Sequence, residues 1–309
     1  MDEIGSRIEA ALGAAFASLK DRAGPARLAS ALRYAVIPGG ARLRPRLVVE
    51  VARALGDPEP RTTDAAAIAL ELIHCASLVH DDLPCFDGAE LRRGRPTLHT
   101  AFDEPTAVLV GDGLIVMAFQ VIAHARPERI ADLTLALCQG VGHPAGIVAG
   151  QAWESEGAAG IHVYHRAKTA ALFEAACAMG AISAGADPSA WRFVGELLGR
   201  AYQIADDVAD ATLSSELLGK SVGRDAEKRR PNAIERLGED RCRDLVEALL
   251  REAGDAVPAC AGRDHLRRWL RDVSLGVLRH RVPGFDSGAA SARHETSAGD
   301  EAPHWTAAE

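Results

Sequence analysis

Two groups of aspartates are the residues of this sequence best equipped for chemistry. The first lies in His80-Asp81-Asp82-Leu83-Pro84-Cys85-Phe86-Asp87, the second in Gln203-Ile204-Ala205-Asp206-Asp207-Val208-Ala209-Asp210. Asp206 and Asp210 are four apart, so in a helix their carboxylates share one face. Like charges at that spacing destabilise a bare helix, and among apolar neighbours they also carry a desolvation cost unless a cation neutralises them. Oxygen-only ligands suit Mg²⁺, which keeps several waters and binds through few carboxylates plus the phosphates of a substrate. Soon after the first group come Arg92, Arg93 and Arg95 around Gly94, and guanidinium forks match phosphate oxygens. Either feature alone is most simply a solvated face. Two acid groups within apolar helices, one followed by an arginine loop, point instead to magnesium and phosphate.

These groups need long helices to hold them. Ala and Leu dominate and aromatics are only 5%. The periodicity predicts helices at about 3–20, 25–35, 43–55, 62–81, 103–124, 128–140, 143–154, 163–185, 188–211, 231–254 and 262–280. Breaks fall at Pro38-Gly39-Gly40, Gly56-Asp57-Pro58, Gly88, Gly94-Arg95-Pro96, Asp187-Pro188 and Val222-Gly223-Arg224. The first aspartate pair then ends a helix that Pro84 stops, and the second lies inside another. Several helices are apolar around much of their circumference, as inner members of a large bundle are, and such a bundle places side chains in a central cavity. The expected fold class is all-α. No linker or composition shift divides the chain before Val282, which predicts one domain over 1–281. Residues 282–309 are small, polar and aperiodic, the composition of a disordered C-terminal tail.

Composition narrows the classes further. The 309 residues are 48% hydrophobic and 25% charged, normal for a globular chain with a sizeable core, which excludes a disordered or fibrous protein. The 35 basic and 43 acidic residues give a net charge of −8, a poor match to a nucleic-acid backbone, so no nucleic-acid partner is expected. Six scattered cysteines without a CxxC pair read as reduced thiols in a cytoplasmic setting. The N-terminal MDEIGSRIEAALGAAF has no basic segment before an apolar one, so it does not read as a signal peptide. The longest apolar stretches, Ala65 to Val79 and Val108 to Phe119, are interrupted by Glu71, His74 or Asp112. They fall short of the roughly 18–20 residues a membrane span requires, so no transmembrane segment is expected.

DDLPCFD followed by LRRGRP, and later YQIADDVAD followed by LLGK, resemble the two aspartate-rich motifs of the trans-isoprenyl diphosphate synthases. The motifs stand in the family's order, and the likeness runs from Pro38-Gly39-Gly40 to Asn232. It is strongest to bacterial members that make geranylgeranyl diphosphate for carotenoid and chlorophyll-type pathways. The resemblance implies an isoprenoid-synthase-like bundle of roughly a dozen helices around a central cavity, paired as a homodimer. It implies sequential head-to-tail condensation of isopentenyl diphosphate onto an allylic diphosphate of C5 to C15, with three Mg²⁺ ions when the diphosphate is bound. By the same likeness Asp81, Asp82 and Asp87 hold one pair of ions, and Asp206, with Asp207 and Asp210 through water, forms the opposite wall. Arg92 grips the allylic diphosphate. Arg93, Arg44 and His74 contact the isopentenyl diphosphate, Gly40 and Arg42 are further substrate-binding positions, and Lys168 and Lys220 neutralise the leaving diphosphate. Thr169 completes a Lys-Thr pair, Gln203 precedes the second motif, Gln151 matches a Gly-Gln pair, and Asp207 is a further substrate contact.

Chain length in the family depends on residues four and five before the first aspartate, here Ser77 and Ala76. Ala76 is small where short-chain members carry an aromatic, and the inserted Pro84-Cys85 resembles C20 members, so a mainly C20 product is expected. The chain also departs from the pattern. The GGKRxRP segment reads Gly39-Gly40-Ala41-Arg42-Leu43-Arg44-Pro45, so a lysine is lost at Ala41 with Arg42 beside it, and the acid of GQxxD is Glu154. Other readings are weaker. A di-metal carboxylate bundle from Glu71 and His74 needs a second ExxH on another helix, and the only one, Glu301 to His304, contains a proline. His162 and His165 read as a surface pair. A cyclase usually lacks a full second motif and the LRRG loop, and a catalytically silent partner subunit generally lacks one motif. A farnesyl diphosphate synthase is the alternative within the family.

Overall fold

A computed structural model of the chain describes residues 2–20, 24–37, 39–156, 160–212 and 233–281. In chain order the first helices are α1 Glu3–Lys20, α2 Ala26–Val36, α3 Leu43–Ala54, α4 Pro60–Asp81, α5 Leu98–Ala101, α6 Glu104–Ile122, α7 Pro127–Val141 and α8 Ile147–Glu156. There follow α9 Ile161–His165, α10 Ala171–Ser183, α11 Ser189–Thr212, α12 Ala233–Leu237, α13 Glu239–Ala256 and α14 Arg263–Arg281. A two-stranded hairpin, β1 Leu91–Arg92 and β2 Arg95–Pro96, follows α4.

Helix α4 shows how composition becomes architecture. Pro60 opens it, where the missing N–H costs no helical bond, and the Ala-rich run behind it is buried on most sides. It packs along α6, whose start is capped by the Asp103 carboxylate accepting from the Thr106 N–H at 2.7 Å. Among the described helices α10 is the most completely buried. All its residues but Glu174 are buried, and it touches α3, α4, α7 and α11. The approach to α3 requires Gly180, since a Cβ there would lie 2.6 Å from the Val48 carbonyl oxygen. Helices α13 and α14 pack on α11, and one hydrophobic core runs from Ile4 in α1 to Leu270 in α14. The all-α bundle expected from periodicity is the fold.

Several expectations need correction. The helix expected from 143 begins at Ile147, because residues 142–145 form a turn. The segment expected at 231–254 is divided at Gly238, whose φ of 78° no helix accommodates, and its first residues lie outside the described ones. The arginine loop is a hairpin. His165 is buried against Asp207 rather than paired on the surface with His162. Helices α4 and α6 are long and apolar enough, by length and composition alone, to cross a membrane. A helix buried in a protein core has the same length and composition as a span, so this profile alone does not overturn the expectation of no transmembrane segment. For α4 the reason is internal: 78% of its apolar window is buried in the protein core, and Glu71 pairs there with Arg42. The tail from 282 onward lies outside the described residues.

Candidate active site

A cavity of about 720 Å³ opens between α4, α6, α8 and α11. Asp81, Asp87, Arg92, Arg93, Asp206 and Asp210 line its charged end. Ala76 and Ile73 lie about 8 and 12 Å back along α4 from Asp81, at 1.5 Å per residue. There they join Ile115 of α6, Val141 of α7 and Ile147 of α8 as an apolar lining. One end of the cavity therefore suits anions and cations together, and the other suits hydrocarbon.

The first acid group is built by a turn. Helix α4 ends at Asp81, and Pro84 cannot continue it. The chain folds back so that the Asp87 N–H donates to the Asp81 carbonyl oxygen at 2.9 Å and the Ala89 N–H to that of Asp82 at 3.1 Å. This returns Asp87 to the side of Asp81. Asp82 points elsewhere. It is 3% exposed, and its carboxylate accepts from Arg92 Nε at 2.9 Å and from Arg92 Nη2 at 2.8 Å. Burial pushes the Asp82 carboxyl above the usual carboxylate range, with Arg92 opposing the rise. Arg92 also lies 3.6 Å from Asp81. The hairpin carrying it turns through Arg93 and Gly94, with φ of 54° and 72°. Positive φ at both central residues suits the twist of two short strands, and Gly94 reaches it without strain.

The second acid group is built by helical period. Gln203, Asp206 and Asp210 line the cavity from α11, while Asp207, one residue on, is 2% exposed and turned into the core. There it accepts from Gln203 Nε2 at 2.9 Å and from the Ala233 N–H at 2.8 Å. Gln203 Oε1 in turn accepts from the Thr169 hydroxyl. Lys168 and Thr169 sit in a π-helical turn, Arg166–Ala170, between α9 and α10. Lys168 Nζ pairs with Glu154 of α8, whose Oε2 also accepts from the Tyr164 hydroxyl at 3.0 Å. Glu154 carries one carboxylate oxygen into a group with Asp81 and Asp87, all within 4.8 Å of one another. The Gln151-to-Glu154 spacing, one helical turn, is the signal that could have placed it in the site.

The basic wall divides in the same manner. Arg44 Nη1 lies 3.4 Å from His74 Nε2, and its guanidinium covers the Phe173 ring at 4.8 Å. Arg93 rests over Gly40, where a Cβ would meet its guanidinium carbon at 2.5 Å. Burial, then the field of Arg44, Arg93, Arg92 and Arg42, holds the His74 imidazole well below its ordinary range and therefore neutral. Arg42 is not part of this wall. It is 6% exposed and turned inward, donating to Glu9 at 2.9 Å, Glu71 at 2.6 Å and the Val36 carbonyl at 2.8 Å. With those donors engaged in the core, its guanidinium is not among the described side chains that line the cavity. Lys220 lies outside the described residues.

The donor set fits Mg²⁺. The grouped ligands are carboxylate oxygens only, and Asp81 Oδ1 is buried with no hydrogen-bond partner among the described residues. The polyprenyl synthetase family model matches residues 25–251. The chain is 51% identical over 279 residues to the geranylgeranyl diphosphate synthase of Cereibacter sphaeroides, covering 89% of this chain and 97% of that one. It is 48% identical to the Rhodobacter capsulatus geranylgeranyl diphosphate synthase over 86% of this chain and 93% of the relative. Among solved structures, the Helicobacter pylori geranyltransferase in complex with magnesium and isoprenyl diphosphate superposes with a TM-score of 0.72 at 28% identity. That match covers 90% of this chain and 98% of the other. With two acid groups lining one cavity of a helical bundle, and likeness running through nearly the whole of these relatives, the chain belongs to the polyprenyl synthetase family.

Proposed function

We propose that this chain is a Mg²⁺-dependent head-to-tail prenyltransferase. It condenses isopentenyl diphosphate with an allylic diphosphate of C5 to C15 and releases mainly geranylgeranyl diphosphate. The observation that carries the reading is the cavity itself: carboxylates from α4 and α11 meet cationic side chains at one end, and apolar side chains line the other. Bound Mg²⁺, three ions by the family likeness, supplies the charge neutralisation that lets an allylic C–O bond ionise. Asp81 and Asp87 would hold it from one wall, Asp206 and Asp210 from the other. Arg92, Lys168 and, by the family likeness, Lys220 bind the departing diphosphate, stabilising charge that develops as the bond breaks. Arg44, Arg93 and His74, with Gly40 giving Arg93 room, orient isopentenyl diphosphate, and Gln151 adds a polar contact. Asp82 and Asp207 act at one remove: Asp82 aims Arg92, and Asp207 aims Gln203 and through it Thr169. The apolar lining keeps water from the carbocation, and the small Ala76 leaves room for a C20 chain.

We further propose that the chain works as a homodimer in the cytoplasm and, by its likeness to such synthases, in carotenoid biosynthesis. Pairing is supported by the outer face of α6, where Val108, Leu109, Val116 and Phe119 are exposed. A second copy covering that face accounts for an apolar helix without a bilayer. Light scattering after size exclusion tests this, and a monomeric mass would refute it. The chemistry is tested by incubating the chain with farnesyl diphosphate, labelled isopentenyl diphosphate and Mg²⁺, then separating the dephosphorylated products. A dominant C20 alcohol supports the reading; absence of elongation by folded protein overturns it.

A further inference from the structure

We infer that Glu154 is a third carboxylate of the first cation site, and that it restrains Lys168 until a divalent cation draws it away. The inference deepens the prenyltransferase reading and rests on it. Glu154 faces two kinds of neighbour. Its side chain is 6% exposed, pairs with Lys168 and accepts from Tyr164, yet one of its oxygens lies with those of Asp81 and Asp87. Three carboxylates this close repel one another, and the Lys168 ammonium offsets that repulsion while no dication is present. At equal distance a dication attracts a carboxylate about twice as strongly as an ammonium does. Glu154 therefore turns toward the cation, and Lys168 gives up that partner. Lys168 already lines the cavity, so its ammonium then swings to the oxygens of a bound diphosphate. The backbone stays in place, because Gly150 of α8 packs so tightly on the π-helical turn that a Cβ there would collide with the Lys168 backbone. Only side chains move. Cation binding thus prepares the diphosphate grip.

The test uses the full chain, with Mn²⁺ alone and inorganic diphosphate alone as probes. Titration calorimetry follows the diphosphate in chelator, and electron paramagnetic resonance follows free Mn²⁺. Glu154→Gln should bind Mn²⁺ about tenfold more weakly, the size of effect expected when support for a metal is lost. Without metal it should bind diphosphate more tightly than the unaltered chain, because Lys168 is already released. Simple removal of a negative charge would also tighten diphosphate binding, so the same change is made in a Lys168→Met background, where the gain must vanish. Lys168→Met alone should tighten Mn²⁺. A gain that survives in the Lys168→Met background, weaker binding of both probes by Glu154→Gln, or unchanged Mn²⁺ affinity in both single variants overturns the inference. Should Glu154→Gln fail to fold, the Mn²⁺ affinity of Lys168→Met decides. If the unaltered chain makes C20 product while these signs are absent, the inference alone falls. If it neither elongates nor binds either probe, the prenyltransferase reading falls with it.

Discussion

The two aspartate groups reach the same cavity by different routes. In the first, the chain stops a helix and turns back, so Asp87 joins Asp81 through loop hydrogen bonds. In the second, Asp206 and Asp210 meet because a helix repeats every 3.6 residues. Yet each contains an adjacent pair of which one member faces the cavity and the other is buried. Asp82 is locked to Arg92, and Asp207 to Gln203 and the Ala233 N–H. Neighbours in sequence point in different directions, so a doubled acid supplies one group for the cavity and one to hold the frame.

Breaking that comparison is the most informative experiment. Asp81→Asn and Asp206→Asn should each lower kcat by on the order of 10² to 10³, the size seen when one preorganised electrostatic group is lost. Their unfolding midpoints should hardly change. The contrast collapses if Asp82→Asn and Asp207→Asn show the same kcat loss with unaltered stability.

The same division within Gly39-Gly40-Ala41-Arg42-Leu43-Arg44 gives the next largest effect. Arg42→Ala strands the buried Glu71 carboxylate and should cost about 3–5 kcal/mol in urea unfolding. Arg44→Ala should instead raise KM for isopentenyl diphosphate with little change in stability. A stable Arg42→Ala variant with a raised KM would return Arg42 to the substrate wall. Asp207→Ala leaves the Ala233 N–H and Gln203 without their acceptor and should cost about 1–3 kcal/mol, read from the same unfolding curves.

Ala76→Tyr sharpens the comparison from the apolar end: product should move from C20 toward C15, and unchanged C20 output would remove Ala76 from the floor. The smallest effect concerns His74. Its folded pKa is depressed, so below the ordinary value of 6.5 the unfolded chain takes up a proton that the folded one refuses. Its contribution is complete above that value and is lost as pH falls toward the folded pKa, by about 1 kcal/mol per pH unit. Comparing unfolding at pH 7.5 and 5.5 for the unaltered chain and His74→Asn isolates this slope, and equal slopes would show that His74 does not carry it.

Much of the molecule was legible beforehand because its information is local. Helix periodicity, proline and glycine breaks and the i, i+4 spacing of Asp206 and Asp210 depend on residues a few positions apart, and the sequence by itself determined the all-α fold and the two acid groups. What it left undecided depends on residues brought together from far along the chain. Arg42 turns inward because Glu9 and Glu71 wait there, from α1 and α4. Asp207 leaves the cavity side because the Ala233 N–H, 26 positions on, needs an acceptor. Glu154 enters the first cation group because α8 lays it beside Asp81, 73 positions earlier. In a packed interior each polar group must find a partner. Which arginine or aspartate remains for the substrate is therefore decided by the partners that tertiary packing supplies to the others.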